Sequence, residues 1–509
     1  MKTKCFLLVL LFICAGLYTA LAQNPQKYAV IITGDAPGDG YQGQFANPNS
    51  NYNEFWNDTY LMWEMLVTKF GFDHTKVFVL YAEGTDYVSQ NPRYTYINAA
   101  IPGLTHITDY SATISNVQNK LGGLVNGSNG MPQMTQDDFL FIFTFGHGVL
   151  DATLTHGALQ LQDGIMLDTQ FGELVNAIPA NKRVIWMQNC ASGDFAEELT
   201  NDKNYFVAAT MPYPNGGLAM HADNCYTYQG TNYCNIPQLE EEIVDNREYS
   251  HGEFIFHLYS SANGKTPTGI TYYVQSPAGN FTNVDVNSDG YKTFTELFNY
   301  VDVQDSQQQP NGPDNPNASD FGNIGNYTSF EYPTLLHDNL TQANLTCRGL
   351  IGISNTATVR SGSTLTIAAN SKVHLLNGGN LIVEAGANLV IENGVQFIKS
   401  FPASANKIEI NGTLSACNYV SFDGGTGSLM LEVITNNVTG SFMFDHCIFN
   451  NTAYKGSYGL VTMDNSTFTK SYCSIGSTFP QENLVYIRYN VFQGNSIAYP
   501  AININGMKK

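Results

Sequence analysis

Apolar residues follow two rhythms along the chain. Up to about residue 275, short unbroken apolar runs alternate with segments of helical spacing. From about residue 350 onward, apolar and polar residues alternate in brief stretches that return at a fixed interval. The runs Tyr28–Thr33, Val77–Tyr81, Phe139–Phe145, Val184–Gln188 and Tyr205–Met211 have the length and composition of strands buried on both faces. Asn53–Phe70 reads as a helix, with Asn53 or Asn57 near its start and Gly71 past its end, and Ala112–Val125 reads as another. Helical patterns at 236–246 and 252–262 and a strand at Thr271–Val274 complete the first region. Strand and helix in alternation predict an α/β domain, a mostly parallel sheet flanked by helices.

The second rhythm has a period of eight. Leu365, Val373, Leu381, Leu389 and Phe397 recur at that interval, as do Ile367, Leu375, Val383 and Ile391, and Asn370, Gly378, Gly386 and Gly394 mark the turns. Apolar residues at i and i+2 make one face of a short strand, which must coil and stack to bury it. Later repeats at Phe442–Phe449, Val461–Phe468 and Val485–Phe492 are longer, with spacings of about 19 and 24 residues. These are the sizes of turns in a parallel β-helix, and the architecture resembles the right-handed helices of the pectin-lyase-like superfamily. Asp445, Asp464 and Asn490 recur at similar places and read as turn caps rather than a lyase or glycosidase site.

Chemistry concentrates where two of the buried runs stop. Phe139–Phe145 ends on Gly146-His147-Gly148, and Val184–Asn189 ends on Cys190-Ala-Ser-Gly193. Parallel strands deliver an imidazole and a thiol to the same carboxyl edge of the sheet, where open α/β folds hold their sites. A thiol of ordinary pKa, about 8.5, needs a neighbouring base to act as a nucleophile near neutrality. Backbone N–H groups of Gly148 and Cys190 are candidates for holding a developing oxyanion. Ser192–Leu199 reads as a helix whose amino end faces the thiol.

The order strand, His-Gly, helix, strand, Cys resembles the caspase-like clan of cysteine peptidases, and its details resemble the legumain family over about Tyr28 to Val274. The resemblance implies a catalytic dyad of His147 and Cys190, with Asp35 or Asp39 in the loop after the first strand as an orienting residue. It also implies that the Tyr205–Met211 strand and the loop to Cys234 line the pocket for the substrate side chain, with Thr210 and Asp223 as candidates. Two residues depart from the family pattern: Gly146 stands where an acidic residue is usual, and Asn189 where alanine is usual.

Residues 1–22 have the basic start, apolar centre and Ala20-Leu-Ala22 ending of a secretory signal peptide, and no later apolar run is long enough for a membrane span. The formal charge of −20, or −22 without Lys2 and Lys4, argues against nucleic acid and anionic membrane as partners and suits calcium. Of the nine cysteines, seven remain after Cys5 and Cys14, an odd number that leaves Cys190 as the natural free thiol. The other six either pair, with Cys225 and Cys234 near each other, or stay as buried thiols. His156, His221, His251 and His257 form no metal-ligand spacing.

Asp285-Val-Asn287-Ser-Asp289-Gly290-Tyr291-Lys-Thr293-Phe-Thr-Glu296 matches the EF-hand loop at each oxygen-ligand position, with the Tyr291 carbonyl and a bidentate Glu296 completing the set. Lys292 departs from the usual aliphatic residue, and Pro277 and Gly279 weaken any incoming helix, so a lone structural calcium loop with a helix over Thr295–Val301 is expected. Residues 305–326 are polar and rich in Asp, Asn, Pro and Gly, as in a flexible connection, and Tyr327–Leu340 is expected to pack back on the first domain.

The expected layout is a signal peptide (1–22), a peptidase domain (23–275), a calcium loop and linker (276–349) and a β-helix (350–509). The expected function is that of a secreted cysteine endopeptidase acting on protein or peptide substrates, with no catalytic cofactor and a surface, glycan or protein ligand on the β-helix. Two alternatives stay open: a transpeptidase using the same dyad, and an adhesion protein with a vestigial peptidase domain.

Overall fold

The computed structural model describes residues 25–34, 51–52, 54–87, 101–153, 155–215, 219, 226–228, 231–233, 242–244, 247–249, 251–267, 284–305, 317–320, 324–415, 417–437, 441–456, 460–476, 485–493 and 502–505. The chain divides after Leu335 into two compact units.

In chain order the first unit carries β1 (Lys27–Thr33), α1 (Glu54–Glu64), β2 (Val77–Tyr81), α2 (Ile114–Asn126), β3 (Phe139–Phe145), β4 (Gly148–Leu150), β5 (Gly157–Leu161), β6 (Gly164–Leu167), α3 (Asp168–Ala177), β7 (Lys182–Gln188), β8 (Asn204–Ala208), α4 (Glu253–Asn263), α5 (Phe294–Asp305) and β9 (Asn317–Asp320). Six of these strands form one sheet in the order β9-β8-β7-β3-β1-β2, parallel except where β9 runs against β8. Side-chain alternation divides β3 cleanly. Phe139, Phe141, Phe143 and Phe145 join one buried cluster with α1, α4 and α5, and Leu140 and Ile142 join another with α2 and α3. The sheet is therefore covered on both faces, which is why its strands are apolar throughout.

Helix boundaries follow local chemistry. Thr113 caps α2 by accepting the Asn116 N–H at 3.2 Å, and Gly127 ends it at φ +71°. The expected helix over 53–70 is α1 followed by one widened turn, Met65–Lys69.

Two expectations need correction. Of the helical pattern at 236–246, the described part, Glu242–Val244, is instead a strand antiparallel to Arg247–Tyr249, which also pairs with Asn51–Tyr52; the rest of the pattern lies outside the described residues. Long-range backbone pairing overrides the helix-forming composition of the Glu-rich stretch. Within the stretch expected to be a flexible connection, Asn317–Asp320 is the edge strand β9, held by the β8 backbone and by Asp320, whose carboxylate accepts the Ile324 and Gly325 N–H groups. The expected strand at Thr271–Val274 lies outside the described residues.

After β9 the chain returns to the core through Phe330, which is 1% exposed. Its ring stacks on Phe70 at 4.5 Å and meets Phe294, Phe141 and Trp186 at 4.7, 5.1 and 5.3 Å. Lys27 Nζ donates to the Phe70 and Phe330 carbonyls at 2.6 and 3.1 Å, tying the start of β1 to this packing.

The second unit consists largely of short parallel strands in stacked sheets, an arrangement consistent with a β-helix. Register explains the period of eight. Leu365 pairs with Leu389 and Val373 with Phe397, so eight residues make one side, and the chain returns to the same sheet after three sides. Leu365, Val373, Leu381, Leu389 and Phe397 are all fully buried. Asn370, Gly378, Gly386 and Gly394 hold the left-handed corners at φ between +62° and +83°. The stacking begins at Thr334–Leu336 and Asn344–Cys347, ahead of the residue-350 boundary that the eight-residue repeat suggests.

From Phe397 onward, one ring per turn builds a ladder inside the stack. Phe397, Phe422, Phe449, Phe468 and Phe492 lie face to face, with successive centroids 5.3, 5.1, 4.5 and 4.7 Å apart. Cys347, Cys417, Cys447 and Cys473 are buried thiols not joined in disulfides, so these four take the second of the two fates open to them, and Cys225 and Cys234 lie outside the described residues. Burial pushes the thiols of Cys447 and Cys473 up to about 12, keeping them protonated and inert.

Phe330→Ala is expected to cost about 3–5 kcal/mol, because the ring is fully enclosed by four aromatic neighbours. Chemical unfolding followed by tryptophan fluorescence measures it. A loss below about 1 kcal/mol contradicts the role given to this ring.

Candidate active site

Register places the two candidate catalytic residues at equivalent positions. β3 and β7 run parallel with Phe145 opposite Gln188, and each strand then leaves the sheet two residues before its candidate side chain, His147 on one and Cys190 on the other. Both are half-buried at the carboxyl edge. The turns touch closely: a Cβ on Gly148 would lie 1.8 Å from the Cys190 carbonyl oxygen. Only glycine allows this approach.

Each turn is supported from below. Phe55 of α1 presents its ring edge-on to the His147 imidazole, with centroids 5.5 Å apart, and to Phe145 at 4.8 Å. Gln188, at the end of β7, accepts the Ile255 N–H of α4 at 2.9 Å. Beside it, His251 pairs with Asp58 of α1 at 2.6 Å, and Asp58 also accepts the Gly252 N–H at 2.9 Å. His257 lies 3.5 Å from Glu253 one helical turn away. These two histidines are core residues paired with carboxylates, and His156 pairs with the buried Asp168 at 3.0 Å. His221 lies outside the described residues.

Around the thiol, Ala219 N–H donates to Cys190 Sγ at 3.4 Å. Ala191 takes the left-handed conformation at φ +56°, which turns the chain sharply after the cysteine. Gly157 of β5 packs under this bend, where a Cβ would sit 2.6 Å from the Ala191 carbonyl. The expected helix at 192–199 is shorter and tighter than the sequence suggests: a 3₁₀ turn over Ser192–Phe195 followed by one α turn, Ala196–Leu199. So short an element has little aligned dipole to offer the sulfur.

Thr210 is fully buried, and its hydroxyl accepts the Gly193 N–H at 3.1 Å and meets Ser192 Oγ at 3.3 Å. It thus supports the Cys190 turn from the neighbouring strand end. Asp35, Asp39 and Asp223 lie outside the described residues. Asp194, next along the turn, accepts the Tyr213 N–H at 3.1 Å, and burial raises its carboxyl above the ordinary range.

Asn189 acquires a role that its sequence position did not reveal. It is 2% exposed, accepts from Thr144 Oγ1 at 2.5 Å, and donates from Nδ2 to the Gly146 carbonyl at 2.9 Å and the His147 carbonyl at 3.5 Å. One amide therefore joins the cysteine turn to the histidine turn. The only hint in the sequence is a polar residue closing an apolar strand.

Away from this edge, the loop from Asp285 to Glu296 folds on itself. Asp285 accepts the Asp289 and Gly290 N–H groups at 3.1 and 2.8 Å, Asn287 that of Asp289 at 2.9 Å, and Asp289 that of Tyr291 at 2.8 Å. Glu296 returns to the Val286 and Thr293 N–H groups at 3.0 and 2.9 Å, and Gly290 turns at φ +88°. The following helix, α5, begins at Phe294. Lys292 reaches out of the loop to the Ser261 carbonyl near the end of α4. Among the described residues, no three His, Cys, Asp or Glu side chains gather as a metal-holding group. Nor is any described helix long and apolar enough to cross a membrane.

A scan against protein-family models finds no match to this chain, and a search of the curated proteins finds none either.

Gly148→Ala is expected to cost about 1–3 kcal/mol and to expose the Cys190 thiol, because its methyl group has no space beside the Cys190 carbonyl. Gly122→Ala, in α2 with no atom within 4 Å of the added methyl, is expected to gain about 0.5–1 kcal/mol. Melting temperatures of the two variants test the contrast; equal shifts contradict it.

Proposed function

We propose that the chain is a secreted cysteine endopeptidase with a legumain-like catalytic unit of the caspase-like clan, followed by a right-handed β-helix of the pectin-lyase-like architecture. The observation that carries this reading is the matched exit of β3 and β7, which brings His147 and Cys190 past one sheet edge on touching turns. In the proposed reaction His147 takes the Cys190 thiol proton, and the sulfur forms a bond to the peptide carbonyl carbon. His147 then gives its proton to the leaving amine as the C–N bond breaks. Water, deprotonated by the same imidazole, attacks the thioester and releases the acid and the thiol. The Gly148 and Cys190 N–H groups would hold the oxyanion of each tetrahedral intermediate. The Ala219 N–H on Cys190 Sγ supports the reading, because a donor aimed at sulfur favours the thiolate. The loop after Thr210, which carries Asp223, would meet the substrate side chain on the acyl side, with the buried Thr210 hydroxyl supporting the Cys190 turn from behind, and the β-helix would bind a surface, glycan or protein ligand.

Calcium is proposed at the 285–296 loop, held by Asp285, Asn287, Asp289, the Tyr291 carbonyl, Thr293 and Glu296. The fit rests on the tight fold of the loop around its own acceptors and on the left-handed Gly290. Bound there, the ion would offset the acidic charge and stiffen the start of α5, with no part in the chemistry.

Two outcomes test these proposals. A peptide library cleaved under reducing conditions at pH 5–8 is expected to lose activity by about 10⁴-fold or more with Cys190→Ala and His147→Ala. Cleavage that survives Cys190→Ala overturns the mechanism. Calcium at a hundred times its dissociation constant is expected to stabilise the parent by about 2.7 kcal/mol and Glu296→Gln far less. An identical calcium response in both refutes the loop assignment.

A further inference from the structure

The two departures from the legumain pattern meet in one hydrogen bond. Gly146, where the family carries an acidic side chain, accepts through its carbonyl from the Nδ2 of Asn189, where the family carries alanine. Resting on the cysteine peptidase reading, we infer that Asn189 is a positioning residue that sets His147 against Cys190.

The geometry gives the amide three tasks. Its oxygen is held by the Thr144 hydroxyl at 2.5 Å, which fixes the amide orientation and leaves the NH₂ facing the histidine turn. Its nitrogen then bridges the Gly146 and His147 carbonyls at 2.9 and 3.5 Å. Its Cβ lies 3.2 Å from the place a Gly148 methyl would occupy, so it also lines the contact between the two turns. Gly146 sits at φ +125°, a conformation open to glycine and costly for an acidic residue. Glycine thus allows the turn, and asparagine locks it. The lock is buried with Asn189 at 2% and Thr144 at 1% exposure, where loss of the donor removes a hydrogen bond from the Gly146 carbonyl, while the His147 carbonyl keeps the Gln160 N–H at 3.1 Å. Neither residue touches the reacting atoms; both act through the direction in which the chain carries the imidazole.

The pH dependence of Cys190 alkylation by iodoacetamide in the full chain, read at that residue by peptide mass spectrometry, tests the inference without requiring a substrate. In the parent, His147→Ala is expected to slow alkylation near neutrality and leave the alkaline limit unchanged. Asn189→Ala is expected to do the same, by about tenfold or more, with Thr144→Val weaker in the same direction and Thr144→Ser close to the parent. Asn189→Asp separates positioning from mere packing. Its neutral acid donates one hydrogen bond and keeps part of the rate at acid pH, whereas its carboxylate faces two carbonyls, so the rate falls away as the group ionises. If His147→Ala leaves the profile unchanged, the dyad fails and this inference with it. If His147→Ala alters the profile and Asn189→Ala does not, or if Asn189→Ala lowers the rate equally at every pH, the positioning role alone is overturned.

Discussion

Everything at the candidate site depends on the parallel register of β3 and β7. Both strands are buried along nearly their whole length, so β3 cannot slip by one residue without exchanging its phenylalanine face for its Leu140 and Ile142 face, nor β7 without exchanging Val184 and Trp186 for Ile185 and Met187. The aromatic cluster around Phe330 lies against one face, and the Leu140 and Ile142 cluster lies against the other. Chemistry is then available only where the strands stop and the backbone is freed from the ladder. Two ends two residues long, one closing on His147 and one on Cys190, inherit a precision that no loop could provide by itself.

Much of this was legible because burial leaves few choices. A strand covered on both faces must be apolar throughout, and Tyr28–Thr33, Val77–Tyr81 and Phe139–Phe145 announce themselves by composition. The stacked unit was equally plain, since each short strand has only two inward positions and must repeat them. What escaped notice depends on partners distant in sequence. β9 is polar, with nothing in Asn317–Asp320 to mark it as a strand; it exists because β8 has a free edge. The Glu242–Val244 strand looks helical until its pairing with Arg247–Tyr249 is known. Asn189 reads as an odd residue beside a cysteine, and its purpose lies some forty positions earlier, at Thr144 and Gly146.

The first unit also concentrates buried polar groups on the elements that support the site. Asp58 and His251, Gln188 and the start of α4, and Thr210 and the Gly193 turn each tie a strand end or loop to a separate element. Such bonds add little net stability, yet each is costly to leave unmade in a low-dielectric interior. Their effect is to restrict the edge of the sheet to one arrangement. The apolar clusters decide that the unit folds; the polar ties decide where His147 and Cys190 stand.

The phenylalanine ladder of the second unit carries a different implication. Because one ring is supplied per turn, and turns of unequal length still return a ring to the same column, the stack can lose or acquire a whole turn without disturbing its neighbours. A change of two or three residues within a strand has no such freedom, since it would take a ring out of the column. The length of this part of the protein is thus adjustable in steps of one turn, about 4.8 Å each. Whatever the outer faces bind, their reach can evolve by counting rungs.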